Sequence, residues 1–291
     1  MITEQVLDSL LPAEMAKKAE SVGVVKGNMG ITKTLTLALL AGAFIALGAV
    51  FSTTVTAGST LPFGVTKLLA GLVFSLGLIL VVVGGAELFT GNNLIIMAWA
   101  SKRLSTKQVL KNWGLVYIGN FAGAFSMVIL MLLSEQYKFG NGAIGANMLA
   151  IANAKCQLHF VQAIALGILC NILVCLAVWL CFSATSITGK IAGILFPISA
   201  FVAAGFEHSV ANMYFIPAGI LLKEWASPDF WLQINATPLS FTDLNWTYFF
   251  VNNLLPVTIG NIIGGAVLVG LVYWFVFLKP ERQSEKFTTN H

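Results

Sequence analysis

Glu207 and His208 stand side by side in the stretch AGFEHSVANM (204–213), with apolar sequence on both sides. A carboxylate and an imidazole together can do acid–base chemistry, hold a metal, or meet an ion in transit. With Ser209 they superficially suggest a nucleophilic triad. Adjacent residues seldom converge on one point, however, and the chain has no HExxH, GxSxG or paired aspartates. No enzymatic activity and no cofactor are expected. Cys156, Cys170, Cys175 and Cys181 show no CxxC spacing, and three of them fall in an apolar run. They read as small buried hydrophobes, and no metal site is expected.

The stretch has a partner earlier in the chain. GAELFTGN (85–92) and GFEHSVAN (205–212) share the pattern G-x-E-x-x-x-x-N, and IGNFAG (118–123) later answers to IGNIIG (259–264). Two short motifs in the same order indicate an internal repeat. What both halves share is expected to be scaffold. Each glycine permits a break in a helix, Asn92 and Asn212 cap the half-helix that follows, and Glu87 and Glu207 accept hydrogen bonds from loop amides left unpaired in lipid. What differs is expected to be function: Leu88 stands opposite His208. The histidine is either a satisfied core side chain or a pore-lining group. The second reading is preferred because intramembrane ionisable residues mark pathways.

The elements that position these residues are membrane spans. The chain is 57% hydrophobic and only 10% charged, against about a quarter charged in soluble domains. The net charge of +4 follows from where the lysines lie and does not imply a nucleic-acid partner. Windows of about twenty apolar residues fit six times, at 34–52, 67–100, 109–133, 159–182, 190–224 and 251–278. The second and fifth are too long for one crossing and carry the glycine-bearing interruptions. The expected organisation is an N-terminal amphipathic segment (1–33), a three-span repeat (34–133), an outer loop (134–158), a second three-span repeat (159–278) and a tail (279–291). Three spans per half is an odd number, so the halves insert in opposite directions, an inverted 3+3 repeat. Leu11, Met15, Ala19 and Val22 sit opposite Lys17 and Lys18, which reads as a helix lying on the membrane or on a neighbouring subunit. No apolar run of signal-peptide length precedes the first span. Twelve basic residues, among them Arg282 and Lys286, lie on one side; only Lys67, Lys138, Lys155 and Lys223 lie on the other. Both termini are therefore expected to be cytoplasmic. Trp99, Trp113 and Trp274 mark inner span ends, while Trp225, Trp231 and Trp246 mark outer ones. The two N-x-T matches, at Asn235 and Asn245, read as chance.

KLLAGLVFSLGLILVV, ELFTGN, KNWGLVYIGN, GFEHSVANM and PVTIGNIIGG closely resemble the formate/nitrite transporter family, and in particular its formate-channel branch. The resemblance runs over nearly the whole chain. It implies an all-α polytopic fold like that of aquaporins, in a homopentamer with one pore per subunit, in the inner membrane. It implies a mobile loop at the break in span two and a tighter one in span five, with His208 between two constrictions. Phe74, Leu78 and Phe201 match one constriction; Leu88, Phe89 and Val174 match the other. Thr90 matches a loop threonine that bonds near the histidine, Asn171 a polar residue of the pore, and Lys155 a lysine of the outer vestibule.

That role is physically coherent. A bare anion stripped of water faces an idealised cost on the order of 20 kcal/mol, several after relaxation. Protonating a simple carboxylate at pH 7 costs only about 4 kcal/mol. His208 is the midplane side chain that ordinarily titrates near neutrality, so it can give the anion a hydrogen bond or a proton, and Lys155 can concentrate anions outside. The expected function is a pH-dependent channel for formate and related small monovalent anions. Nitrite or hydrosulfide conduction, and proton-coupled monocarboxylate transport, remain as alternatives.

Overall fold

The computed structural model describes residues 9–279; Arg282, Lys286 and nearly all of the expected tail lie outside them. Every crossing is helical. The elements in order are α1 (Pro12–Gly27), α2 (Ile31–Thr56), α3 (Phe63–Gly84), α4 (Ile96–Ala100, entered through a 3₁₀ turn, Gly91–Ile95) and α5 (Thr106–Leu133). There follow α6 (Ala143–Cys156), α7 (Phe160–Ser183), α8 (Ile187–Ala203), α9 (Ser209–Trp225), the short α10 (Pro228–Gln233) and α11 (Tyr248–Leu278). Much of α11 is π-helical, over Tyr248–Leu254, Ile263–Leu271 and Trp274–Leu278.

Five of these helices, α2, α3, α5, α7 and α11, are long and apolar enough to cross a bilayer. The remaining crossing is made jointly by α8 and α9, 17 residues each. Both broken crossings stop in the same way. Gly85 (φ 82) and Gly205 (φ 73) take the left-handed conformation in which a side chain is strained. The chain then runs as a short loop and re-enters helix, through α4 in one half and α9 in the other. α9 is buried on all its faces over Ser209–Tyr214 and Ile216–Leu222, so the second broken crossing forms the centre of the bundle.

The IGN motifs explain the packing around it. Gly119 and Gly123 on α5, and Gly260 and Gly264 on α11, form G-x-x-x-G pairs. A Cβ at Gly123 would collide with the carbonyl oxygen of Leu39 on α2, and one at Gly264 with that of Ile168 on α7. Small residues here let the backbones touch, which is how helices associate where no hydrophobic force separates protein from lipid.

Three expectations are corrected. The helix α1 rests on its own chain, burying Met15, Ala16 and Ala19 against Met97, Trp179 and Leu278, where the sequence suggested the membrane surface or a neighbour. Lys155 lies in the last turn of α6, not in a loop. Trp113 and Trp231 face inward: Trp113 Nε1 donates to the Asn92 carbonyl at 3.0 Å, and Trp231 is buried.

Candidate functional site

The two broken-helix loops are held by one network used twice. Glu87 Oε1 accepts from Lys26 Nζ at 2.8 Å, and Glu87 Oε2 accepts from Asn92 Nδ2 at 2.7 Å. In the other half, Glu207 Oε1 accepts from Lys155 Nζ at 2.7 Å, and Glu207 Oε2 accepts from Asn212 Nδ2 at 2.6 Å. Each of these asparagines donates again, to Asn112 Oδ1 or Asn253 Oδ1. Asn112 and Asn253 in turn donate to the carbonyls of Lys26 and Lys155. The amide N–H of Glu87 reaches Leu37 O on α2, and that of Glu207 reaches Leu166 O on α7, both at 3.2 Å. This arrangement makes α1 the counterpart of α6. Each repeat supplies a helix outside its three crossings whose lysine neutralises the loop glutamate.

The expected roles of the shared residues therefore change. The carboxylates of Glu87 and Glu207 accept from lysine and asparagine side chains, not from loop amides. The loop amides are met by the IGN asparagines: Phe89 N–H donates to Asn120 Oδ1 and Ser209 N–H to Asn261 Oδ1, each at 2.9 Å. The same two asparagines donate from Nδ2 to the carbonyls of Glu87 and Glu207. Asn92 and Asn212 do not cap the helices that follow. In the second half His208 does so: its Nδ1 accepts from the Ala211 N–H at 3.0 Å.

That cap assigns the tautomer. An amide N–H can only donate, so Nδ1 is unprotonated and the neutral ring carries its proton on Nε2. Nε2 lies 2.8 Å from Thr90 Oγ1. The bond joins the loop of the first broken helix to the start of the second half-helix, at a point where Thr90 is wholly buried and His208 is 3% exposed.

Two cavities lie beside this pair: one is lined in part by His208, the other by Leu88 and Gly91, close to Thr90 in the chain. The larger, about 450 Å³, is lined by Lys67, Lys155, Phe74, Phe201, Glu207 and His208, with further residues of α2, α6 and α9. The smaller, about 260 Å³, is bounded by α1 and by Leu78, Glu87, Leu88 and Val178. Phe74 and Phe201 both line the larger cavity. The rings of Phe74 and Phe201 meet edge to face at 5.7 Å, and Phe201 stacks on the His208 imidazole at 5.9 Å.

Leu78 borders the smaller cavity together with Leu88, while Phe74 and Phe201 border the larger. Phe89 turns its ring to Tyr117 (4.9 Å) and Trp113 (6.2 Å), and Val174 is buried in the core; neither walls either cavity. Asn171, expected to face the pore, donates from Nδ2 to the carbonyls of Thr90 (3.3 Å) and Asn261 (2.7 Å) and to Asn93 Oδ1 (3.2 Å). It positions the loop that presents Thr90. Lys155 also lies 5.4 Å over the Phe215 ring.

Sequence reasoning passed over Lys26, Asn112 and Asn253, and gave no separate role to Asn120 and Asn261. A signal was present: Asn112 and Asn120, like Asn253 and Asn261, are eight residues apart and end in the same IGN motif.

Comparison with known proteins agrees with this architecture. A family model described as formate/nitrite transporter matches residues 13–275. The chain is 49% identical over 280 residues to the formate channel FocA of Escherichia coli K12, covering 96% of this chain and 98% of that one. It is 44% identical over 264 residues to the formate channel FocA of Haemophilus influenzae, covering 90% and 93%. A solved structure described as a pentameric formate channel with formate bound superposes with a TM-score of 0.82 at 48% identity, covering 86% of this chain and 98% of that one. With its paired broken helices and its match over nearly all of its length, the chain belongs to the formate/nitrite transporter family.

Proposed function

We propose that the chain is a channel for formate and related small monovalent anions, with one pore through each subunit of a homopentamer. In this reading it sits in the inner membrane, with the face that carries α1 on the cytoplasmic side. The relatives' names and the family support the substrate and the pentamer, and the excess of basic residues on the α1 side supports the orientation. The observation that carries the mechanism is the His208 Nε2–Thr90 Oγ1 bond at 2.8 Å, between two cavities that end on apolar side chains.

An anion entering the larger cavity meets Lys155 and Asn212 on its wall and then Phe74 and Phe201, where its hydration shell must go. His208 is the donor waiting there. With Nδ1 engaged by the Ala211 amide, the ring is neutral and offers the Nε2–H as a hydrogen bond. It cannot give that proton away, because an imidazolate would result. Proton transfer to the anion requires a second proton on Nδ1. That proton displaces the Ala211 N–H and leaves the first turn of α9 uncapped, a loss of about 1 kcal/mol. The imidazolium then gives its Nε2 proton to the anion, and the neutral acid crosses the seal formed by Phe74 and Phe201. The ring is left as the Nδ1–H tautomer, and the cap re-forms once Nδ1 returns its proton to solvent in the larger cavity and Nε2 takes one up. Thr90 is the hydroxyl that accepts from Nε2 before the anion arrives.

Uptake of formate, acetate, nitrite and hydrosulfide into liposomes, together with unitary currents in a planar bilayer, tests this reading. Formate flux exceeding acetate flux, with resolved current steps, is the expected result. Transport without current steps at carrier-like turnover would replace the channel with a proton-coupled carrier.

A further inference from the structure

On the face that carries α1, apart from both pore cavities, a cavity of about 830 Å³ opens between the α4–α5 turn and α11. Its wall is of two kinds. Lys102, Arg103 and Thr106 provide cationic and hydroxyl donors; Trp99, Leu271 and Trp274 provide apolar surface; no acidic residue lines it.

The apolar side is fixed by bonds at the edges of the indoles. Trp99 Nε1 donates to Thr106 Oγ1 and Trp274 Nε1 to Ser101 Oγ, each at 3.0 Å. With those N–H groups engaged, the ring faces are what the indoles present, as interfacial tryptophans do. Along α11 the apolar surface continues toward the midplane through Val272, Leu268 and Val267, each 44–49% exposed.

The polar side is equally specific. Lys102 adopts φ 60, a left-handed conformation that glycine takes freely and other L-residues seldom adopt. Its amide donates to Trp99 O at 2.8 Å, and that of Arg103 to Ala98 O at 2.9 Å. Arg103 Nη1 pairs with Glu20 Oε2 at 3.0 Å. The 28-residue α5 begins beside the cavity with no acidic residue in its first turn, so its dipole adds positive potential. Lys107 and Lys111 extend the same sign along α5.

We propose that this cavity seats an anionic phospholipid. The phosphodiester lies at Lys102, Arg103 and the first turn of α5, and an acyl chain lies along α11 between the tryptophans. The charge of the wall selects an anion, and its apolar half selects one that carries hydrocarbon. Basic pockets between transmembrane helices take lipid headgroups on these grounds.

The test uses the full-length oligomer purified in neutral detergent, with native mass spectrometry to count retained lipid. The probes are phosphatidylglycerol, phosphatidylcholine and inorganic phosphate. The wild type is expected to retain phosphatidylglycerol over phosphatidylcholine. Lys102→Asn, which keeps a residue tolerant of the left-handed turn, should weaken that retention about fivefold and leave formate uptake unchanged. Arg103→Gln should act similarly but also breaks the Glu20 pair, so Lys102→Asn is the cleaner variant. Equal retention of both lipids, or unchanged retention in Lys102→Asn, would overturn the proposal. Displacement of the lipid by inorganic phosphate at equal concentration would make this a free-anion site instead. Loss of the pentamer in Lys102→Asn without added lipid would give the cavity to a neighbouring subunit.

Discussion

Lys155 Nζ lies 2.7 Å from Glu207 Oε1, and both side chains are largely withdrawn from solvent, at 16% and 6% exposure. The pair repeats, across the internal symmetry, the contact of Lys26 with Glu87 at 2.8 Å. In both halves the glutamate also holds an asparagine that ties the loop to the helix beyond it. Removing the Glu207 carboxylate therefore takes a partner from Lys155, Asn212 and Asn253, and removing that of Glu87 takes one from Lys26 and Asn92. Glu207→Ala is expected to destabilise the protein by about 3–5 kcal/mol, the range for breaking a buried pair. Glu87→Ala should do less, because Lys26 is 25% exposed and water can take over its ammonium. Thermal melts of the oligomer check this; a Glu87→Ala loss exceeding that of Glu207→Ala would reverse the ranking.

Lys155 does not stand in the larger cavity as a bare charge. Glu207 cancels its charge at distance and leaves a local N–H donor, so long-range focusing of anions is weaker than the sequence suggested. Lys155→Gln should lower formate flux by a factor that changes little between low and high salt, and should lower the melting temperature as well. A flux loss confined to low ionic strength, where the Debye length exceeds the roughly 8 Å of physiological salt, would restore the steering role.

His208→Asn keeps a good N-cap residue for α9 and a side-chain donor, but cannot titrate. It should assemble with near-wild-type stability. Its formate flux between pH 5 and 8 should be flat, either as an unregulated anion path or as a closed one. A wild-type pH profile in this variant would remove the imidazole from the mechanism.

Phe74 and Phe201 meet edge to face on the wall of the larger cavity, and both are also packed in the core. Truncating either opens the seal without touching the glutamate network. Phe74→Ala and Phe201→Ala should each admit larger monocarboxylates, seen as a fall in the ratio of acetate to lactate uptake. Burial loss makes a destabilisation of about 3 kcal/mol the expected accompaniment. Unchanged selectivity in both folded variants would assign the rings to packing alone.

Much of this protein was legible without coordinates. The six crossings follow from apolar run length, because a bilayer demands about twenty such residues whatever surrounds them. The two breaks follow from glycine in paired motifs, and the inversion of the halves from the odd number of spans in each. The special position of His208 follows from Leu88 at the matching place in the other half. These are properties of single segments, or of two segments compared, and local chemistry suffices to read them.

The partners of those residues were a different matter. That Lys26 neutralises Glu87, that α1 serves the first repeat as α6 serves the second, and that Asn120 and Asn261 meet the loop amides all join residues far apart in the chain. Hydrogen bonds are short and directional, so a donor type in the sequence says that a bond will form and not with whom. The same reason applies to His208 itself. Its type announced a titratable group in the membrane, whereas only the folded backbone placed the Ala211 amide on Nδ1 and the Thr90 hydroxyl by Nε2, and so decided which nitrogen can face an anion.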